Sequence, residues 1–446
     1  MADHPFTVDA AARLGGPAWL AARRTAAAQR LQDLELPTPT EEIWRYSRID
    51  ELDPSAFYPL PVDPVGEPAS GGPADERDGG GDRGVPVAVR SATERMVERS
   101  GLVVAVNGRV VHVELDDALA SKGVMAGDLA VQCADEAAEV FGRASASSPD
   151  WFSELHDAFV PGGVFVSVPE GVVVDRPILA FHFLDGPDGA AVFPRTIVAA
   201  GDGSEVTVLE HRESPGAALL SSAVTEVIVG DGARVDHLSV QHHGRRAWEV
   251  ALQRAVVGRD AHVTLGAVAL GGAYARLRAE TLVEGTGGSA DLLAVYFADG
   301  DQMLDFRTLQ DHVAPRSTSD LLFKGAVEHR AHSVYSGLIR LRPTAQKAAA
   351  HQTNRTMKLS RDSHAESVPN LEILANDVQC THASAIGPID EEQLHYLETR
   401  GVPPEVAERL VVFGFFEDVF VRMPVGSLAD PLREAVREKF ERRADG

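Results

Sequence analysis

The spacing of apolar residues predicts helices over the first part of the chain. In PAWLAARRTAAAQRLQDLEL, Leu20, Ala27 and Leu31 recur at helical intervals among strong helix formers. The block TEEIWRYSRIDEL reads as a second helical segment, and residues 116–160 again show a helical pattern. We therefore expect a mostly helical N-terminal region over residues 1–160.

Two stretches interrupt this helical pattern. Residues 64–86 lose nearly all apolar content and fill with Gly, Pro and charge, which predicts a flexible insertion. This insertion contains a GxGxxG spacing, but it lacks the preceding strand and following helix that a dinucleotide site requires. Residues 87–114 then alternate like a few short strands.

From residue 161 to 387 the pattern becomes one of short Val, Ile, Leu and Thr runs separated by Gly, Asp and Arg. Four glycine-led turns, at Gly201, Gly230, Gly258 and Gly285, follow one another at steps of 29, 28 and 27 residues. A drifting repeat of strand-like units predicts a parallel β-helix, in which each step is one large coil or a pair of half-coils. The alternative is an antiparallel jelly roll or sandwich, which the lack of Asn-Gly hairpin turns disfavours.

Helical signals return over residues 388–446. Asp390 is a suitable N-cap for EEQLHYLE, and Gly401 is suited to the position after that helix. The next helix, within VPPEVAERLVVFGFFEDVF, is apolar on several sides, which fits either a partner surface or deep burial. The expected fold is mainly β, with a solenoid core between N-terminal and C-terminal helical regions.

Composition narrows the class of protein. The 446 residues include 66 acidic and 42 basic side chains, and the resulting net charge of −24 disfavours nucleic acid as a partner. No stretch is long and apolar enough to cross a membrane, and the N-terminus lacks the features of a signal peptide. The two cysteines, Cys133 and Cys380, form no CxxC pair, which fits a reducing cytoplasm better than a disulfide framework or a structural zinc site.

The candidate chemistry lies late in the solenoid. Phosphate-loop, nucleophile-elbow and HExxH motifs are absent, so these enzyme classes are not indicated. The late coils carry His329, His332, His351, His364, Cys380 and His382. In an extended strand Cys380 and His382 project from one face, and thiolate and imidazole are both good ligands for iron or an iron–sulfur cluster. Two ligands are too few, so the others would come from another coil or chain; the alternative is a buried cysteine beside a satisfied histidine.

The remaining cysteine and a histidine pair have simpler interpretations. Cys133 lies among alanines and is expected to be a small buried hydrophobe. His242 and His243 are neighbours in sequence, so in a strand they point to opposite faces and cannot easily share one ion. Both are expected to be surface histidines beside Arg245 and Arg246.

Three segments together resemble the SufB/SufD family of the SUF iron–sulfur cluster assembly system. They are TEEIWRYSRIDEL, LHDAFVPGGVFVSVPEGVVVDRPI and NLEILANDVQCTHASAIGPIDEEQLHYLETRGVPPEVAERLVVFGFFEDVF. Within the family the last segment is similar to the SufD type, because Cys380-Thr381-His382-Ala383 stands where SufB has a Glu-His-Glu run. The resemblance implies a right-handed parallel β-helix and a noncatalytic scaffold subunit. In this comparison His382 matches a SufD histidine assigned to cluster assembly, and Cys380 matches the cysteine just before it.

The resemblance also implies partners. SufB would pair with the end of the β-helix, and a transient iron–sulfur cluster would form at that interface, with no cofactor held stably by this chain alone. The ATPase SufC would dock on the C-terminal helices. Its candidate contacts are Val406, Leu410, Phe413, Phe415, Phe416 and Phe420. A homodimer is an alternative assembly for the isolated chain; a SufB-type scaffold, a β-helix polysaccharide-active enzyme and a purely structural interaction module are the alternative functions.

Overall fold

The computed structural model describes residues 5–60, 85–87, 89–90, 93, 98–145, 150–423 and 429–442. The predicted flexible insertion over 64–86, with its glycine spacing, lies outside the described residues except for its last two positions. Among the described residues, no helix combines the length and the apolar character needed to cross a bilayer.

Short strands make up most of the chain between the helical regions. In chain order they are β1 (Tyr58–Pro59), β2 (Gly101–Val106), β3 (Arg109–Leu115), β4 (Met125–Asp128), β5 (Val164–Val168), β6 (Ile178–Phe183), β7 (Ala190–Val192), β8 (Arg195–Ala200), β9 (Glu205–Ser214), β10 (Leu220–Val229), β11 (Arg234–His243), β12 (Trp248–Val257), β13 (His262–Ala269), β14 (Tyr274–Val283), β15 (Ser289–Ala298), β16 (Met303–His312), β17 (Thr318–Val327), β18 (His332–Leu341), β19 (Ala349–Lys358), β20 (His364–Ile373) and β21 (Gln379–Pro388).

These strands form a parallel solenoid of two facing sheets. From β8 onward, even-numbered strands pair with one another in a first sheet and odd-numbered strands in a second sheet. Each pairing is parallel, as in the row Leu220, Trp248 and Tyr274 across β10, β12 and β14. The predicted mainly β fold with a parallel solenoid is therefore confirmed, and the antiparallel sandwich is excluded. One repeat of 27 to 29 residues is one coil containing a strand from each sheet.

The glycine-led turns connect each strand of the first sheet to the next strand of the second. The third residue of these turns adopts a left-handed backbone, with φ of 64° at Gly203 and 66° at Gly232. Asp260 takes the same position in the GRD turn with φ of 52°, a conformation that Asp tolerates better than most residues. The turns also stack, because Asp202 Oδ1 accepts a hydrogen bond from the Asp231 backbone N–H at 2.8 Å.

The helices lie outside the solenoid. They are α1 (Val8–Ala12), α2 (Ala18–Leu31), α3 (Asp117–Ala120), α4 (Ala134–Val140), α5 (Trp151–Phe159), α6 (Glu391–Glu398), α7 (Pro404–Phe420) and α8 (Ala429–Arg442), with 3₁₀ turns at Glu42–Trp44, Ile49–Glu51 and Pro54–Ala56. Side chains from α1, α2 and α5 join an apolar cluster with the outer face of the first sheet. Side chains from α7 and α8 join a second cluster with the outer face of the second sheet.

The helical segments predicted near the start of the chain need two corrections. The block TEEIWRYSRIDEL forms two 3₁₀ turns rather than an α-helix, and Tyr46 between them has φ of 66°, which an α-helix does not allow. The stretch predicted as helical over 116–160 contains β4, which pairs antiparallel with β5. Cys133 is buried, as predicted, and burial raises the pKa of its thiol to about 11.

A buried carboxylate ties the N-terminal region to the first sheet. Glu226, on the outer face of β10, accepts hydrogen bonds from the backbone N–H groups of Gly142, Ala144 and Ser145 at 2.8 to 3.0 Å. It also pairs with the buried Arg195 guanidinium. Burial alone would raise the pKa of Glu226, but Arg195 and the backbone donors lower it. The Glu226 carboxylate therefore has both hydrogen-bond donors and a charge partner, and it joins the N-terminal region to the first sheet.

Candidate functional site

The last coil of the solenoid is open. β20 and β21 are the final strands of the two sheets, so each leaves one edge without a neighbouring strand in the described part of the chain. Leu371 pairs in register with Ile339, which is fully buried in the coil before it. In the last coil, however, Leu371, Ile373 and Ile386 are exposed. The solenoid therefore presents a cross-section of its own interior at this end.

Cys380 and His382 both lie on this open end. Cys380 pairs with Ala350 and His382 pairs with Gln352, and both of those partners are buried inside the solenoid. Strand alternation therefore places the two side chains on the inward face of β21. Cys380 is half-buried beside an apolar cluster that includes Ile339, and burial raises the pKa of its thiol. His382 is exposed.

The interior on the His382 side of this coil is polar. Asn354 Nδ2 donates to Ser367 Oγ at 3.0 Å, and Ser384 Oγ donates to the same oxygen at 2.6 Å. These contacts link β19, β20 and β21 across the inside of the final coil. The residues around His382 thus differ from the apolar side chains that fill the middle of the solenoid.

The other late histidines share these coils but face elsewhere. His332 hydrogen-bonds Glu366 on the outer face of the first sheet, and the ring centroids of His332 and His364 are 6.1 Å apart. His351 lies on the outer face of the second sheet, where its Nδ1 is 2.7 Å from Thr381 Oγ1. Within the described residues, no three His, Cys, Asp or Glu side chains come together as a group that could hold a metal ion.

The structure also gives the positions of His329, in a turn, and of His243, at the end of β11. His329 is exposed in the turn before β18, with φ of 55°. The prediction that His242 and His243 are both surface residues is wrong for His243. Strand alternation directs His243 into the solenoid, where its Nε2 lies 3.0 Å from Glu249 Oε1.

Sequence reasoning missed a charged network inside the earlier coils. Arg212 donates to Glu210 at 2.8 Å and to Glu249 at 2.9 Å, and all three side chains are buried. His237 Nε2 and the Thr225 hydroxyl also hydrogen-bond Glu210, at 3.1 and 2.8 Å. Burial alone would raise the pKa of Glu249, but Arg212 and His243 lower it to about 2. The sequence signal was the alternation of EVTVLEHRES, which puts Glu210 and Arg212 on the face of the buried valines.

The six candidate partner contacts on α7 fall into three groups according to how far their side chains are exposed. Phe416 and Phe420 are buried in the cluster that joins α7 to the second sheet, and this placement corrects their predicted role, because a partner cannot reach them. Leu410 is 50% exposed. Val406, Phe413 and Phe415 are half-buried. Composition predicted an apolar helix without identifying which side faces its own domain.

A groove lies between α6, α7 and the second sheet. Its volume is about 880 Å³, and its walls include Tyr396, Leu410 and Phe415. Acidic side chains, among them Asp390 and Asp418, stand along it. The groove is therefore a mixed apolar and acidic surface on the side of the molecule that carries the C-terminal helices.

Two lysines fasten these helices to the solenoid. Lys324 of β17 donates to the Phe415 carbonyl at 2.9 Å and pairs with Asp418 on α7. Lys439 of α8 is buried and donates to the carbonyl of Phe297 at 2.5 Å and to that of Leu270. The helices are thus held by specific polar contacts as well as by apolar burial.

Comparison with known proteins gives a consistent result. The chain matches a family model described as the SUF system FeS cluster assembly SufBD core domain over residues 182–415, and one described as the SufBD protein N-terminal region over 96–179. The iron-sulfur cluster assembly protein SufD of Bacillus subtilis is 29% identical over 435 residues, which cover 95% of each chain. An iron-sulfur cluster assembly SufBD family protein of Mycobacterium tuberculosis is 36% identical over 247 residues, or 54% of this chain. The match spans about 61% of that mycobacterial protein's length.

Proposed function

Because the chain belongs to the SufBD family of SUF iron–sulfur cluster assembly proteins, we propose that it is a noncatalytic, SufD-type scaffold subunit. In this proposal it works in the cytoplasm, pairs with SufB through the open end of its solenoid, and binds the SufC ATPase through its C-terminal helices. The cluster is the cargo of this assembly, formed transiently at the SufB interface.

The observation that carries the proposal is the open end itself. The free edges of β20 and β21 offer backbone N–H and C=O groups that another strand can pair with. Leu371, Ile373 and Ile386 would be buried by a second solenoid end that continues the two sheets. Exposed inward-facing apolar residues at a strand edge favour a partner of the same architecture. The isolated chain would form a homodimer through the same surface.

The two candidate ligands support a shared assembly site. Cys380 and His382 offer one sulfur and one imidazole, whereas iron–sulfur clusters are usually held by four protein ligands. The remaining ligands would come from SufB. A half-set of ligands on this chain would allow the finished cluster to leave, because neither subunit alone completes the coordination shell.

The SufB interface can be tested by copurification. Leu371→Glu places a charge in the open end and should abolish copurification with SufB, because a buried unpaired carboxylate disfavours the complex. Val131→Glu is the matched control, since Val131 is an exposed valine of the N-terminal region. Retention of SufB by Leu371→Glu would contradict the assigned surface.

The cluster role can be tested in the intact complex. His382→Ala should leave the complex assembled but lower the yield of cluster formed from ferrous iron and sulfide. Thr381→Ala, which alters the outward-facing neighbour on the same strand, is the control. Unchanged cluster formation by His382→Ala in an intact complex would refute the role of His382.

SufC docking is supported by the groove beside α7. Leu410→Asp should weaken SufC binding, since Leu410 is exposed there and lines the groove. Val131→Asp should leave binding unchanged. Equal SufC affinity for Leu410→Asp and the unaltered chain, measured by calorimetric titration, would place the docking surface elsewhere.

A further inference from the structure

One row of inward-facing side chains in the second sheet changes from apolar to polar at the open end. The row runs in strict register through Leu265, Leu292, Leu321, Gln352 and His382, from β13 to β21. The three leucines are fully or almost fully buried. The last two positions are a buried amide followed by the exposed imidazole of the candidate site. Gln352 is therefore the neighbour of His382 in register on the adjacent strand.

Burial of the Gln352 side chain at this position has a free-energy cost. Its side chain is 1% exposed, and neither its amide nitrogen nor its amide oxygen has a hydrogen-bond partner among the described residues. Buried polar groups are nearly always paired, so an amide with both ends unpaired calls for an explanation. A leucine would continue the row without this cost.

The surroundings make specific room for this amide. Gly337 lies across the interior on β18, and a Cβ there would stand 2.6 Å from Gln352 Nε2. The hydroxyl of Tyr335 borders the same space and hydrogen-bonds Thr308 at 3.0 Å. A glycine inside a strand often marks a close approach of this kind. The space that receives the amide is thus built into the coil.

We propose that Gln352 is a positioning residue for His382, an inference that rests on the proposed function. Neighbouring strands lie about 4.8 Å apart, so side chains paired in register are within hydrogen-bonding reach. When SufB covers the open end, the His382 ring folds down on Gln352, and the amide oxygen accepts a hydrogen bond from one ring N–H. The other ring nitrogen then keeps its lone pair and faces the interface, because the hydrogen bond made by one nitrogen sets which nitrogen can bind a metal.

The adjacent row provides a matched control. Asn354 is two residues along the same strand, is also buried, and pairs in register with Ser384 instead of His382. Its amide nitrogen is already bonded to Ser367 at 3.0 Å. Asn354→Leu therefore removes a buried amide from the same coil without touching the neighbour of His382.

The test uses the complex with SufB and SufC and two readouts. The first is the tautomer of His382, read from imidazole nitrogen shifts in histidine-labelled complex and assigned with His382→Ala. The second is the affinity of the complex for ferrous iron alone. Removing the partner that orients a metal-binding histidine typically lowers metal affinity by about 10- to 100-fold. We expect this loss in Gln352→Leu, a change under about 2-fold in Asn354→Leu, and near-normal affinity in Gln352→Glu, which keeps an acceptor oxygen.

The outcomes separate the two proposals. A single His382 tautomer in the unaltered complex and mixed tautomers in Gln352→Leu support the inference. Normal iron affinity in Gln352→Leu, where His382→Ala loses affinity, overturns it and leaves the function of His382 standing. Normal affinity in both variants refutes the proposed role of His382 and the inference with it. If Gln352→Leu does not fold, mixed tautomers in the unaltered complex still overturn the inference.

Discussion

Replacing Phe416 with alanine should loosen the C-terminal helices instead of deleting a partner contact. The Phe416 side chain has no exposed surface and belongs to the apolar cluster that includes Leu293 and Val295 of β15. Truncating a buried phenylalanine typically costs about 3–5 kcal/mol through lost burial and the cavity that remains. In a solenoid each element interacts mainly with its neighbours, so the loss should fall on α7 and α8 and leave the distant coils intact.

Hydrogen exchange of the backbone amides measures this effect element by element. Phe416→Ala should speed exchange across α7 by about 100-fold or more, which corresponds to the lower end of the expected loss. Leu410→Ala, on the exposed side of the same helix, should change stability by no more than about 0.5 kcal/mol. SufC binding should show the reverse pattern, with a direct loss in Leu410→Ala. The reasoning is refuted if Phe416→Ala keeps full exchange protection in α7 and still loses SufC.

Buried groups and backbone geometry give three other predictions. Glu226→Gln should destabilise the fold by about 1–3 kcal/mol in urea unfolding, because it removes one of the two carboxylates that pair with the buried Arg195 guanidinium and leaves only Asp157, at 2.8 Å. The exposed Glu205→Gln should be near neutral. Burial lowers the pKa of His182 from 6.5 to about 4 in the folded chain, so only the unfolded chain gains a proton at this histidine as pH falls below 6.5. The free energy of unfolding should therefore fall by about 2 kcal/mol between pH 7 and 5. His182→Gln should abolish this part of the pH dependence. Asp260→Val should cost about 1–2 kcal/mol because φ there is 52°, while Asp260→Gly should be nearly neutral by thermal unfolding, and equal melting temperatures for the two would contradict the left-handed turn.

The repeat could be predicted from the sequence because the third residue of each turn adopts a left-handed backbone, which favours glycine. Gly203 and Gly232 occupy this position in two successive turns, so the spacing of the turns is evident in the sequence. Strand alternation likewise predicted that Cys380 and His382 share a face. The charged network could not be predicted in this way. Arg212 and Glu249 are 37 residues apart in sequence and meet only because consecutive coils stack.

The sequence also could not predict which side of α7 is free to contact a partner. Leu410 and Phe416 lie on one helix that is apolar nearly all around, so the pattern alone could not say which side is buried. Packing against the second sheet decides that Phe416 is inside. The openness of the last coil is also invisible in sequence, because Leu371 and Ile373 look like ordinary core residues until the next strand is found to be missing from the described fold.

The Lys439 contact has a consequence for how the protein is made. Its ammonium binds carbonyl oxygens of Leu270 and Phe297, which precede it by 169 and 142 residues. Coils can stack one after another as the chain leaves the ribosome, but these hydrogen bonds form only after residue 439 has been synthesised. Until α8 packs, the two carbonyl groups on the middle coils lack the lysine that binds them in the folded chain. The outer face of the second sheet is therefore completed late, after all the coils beneath it.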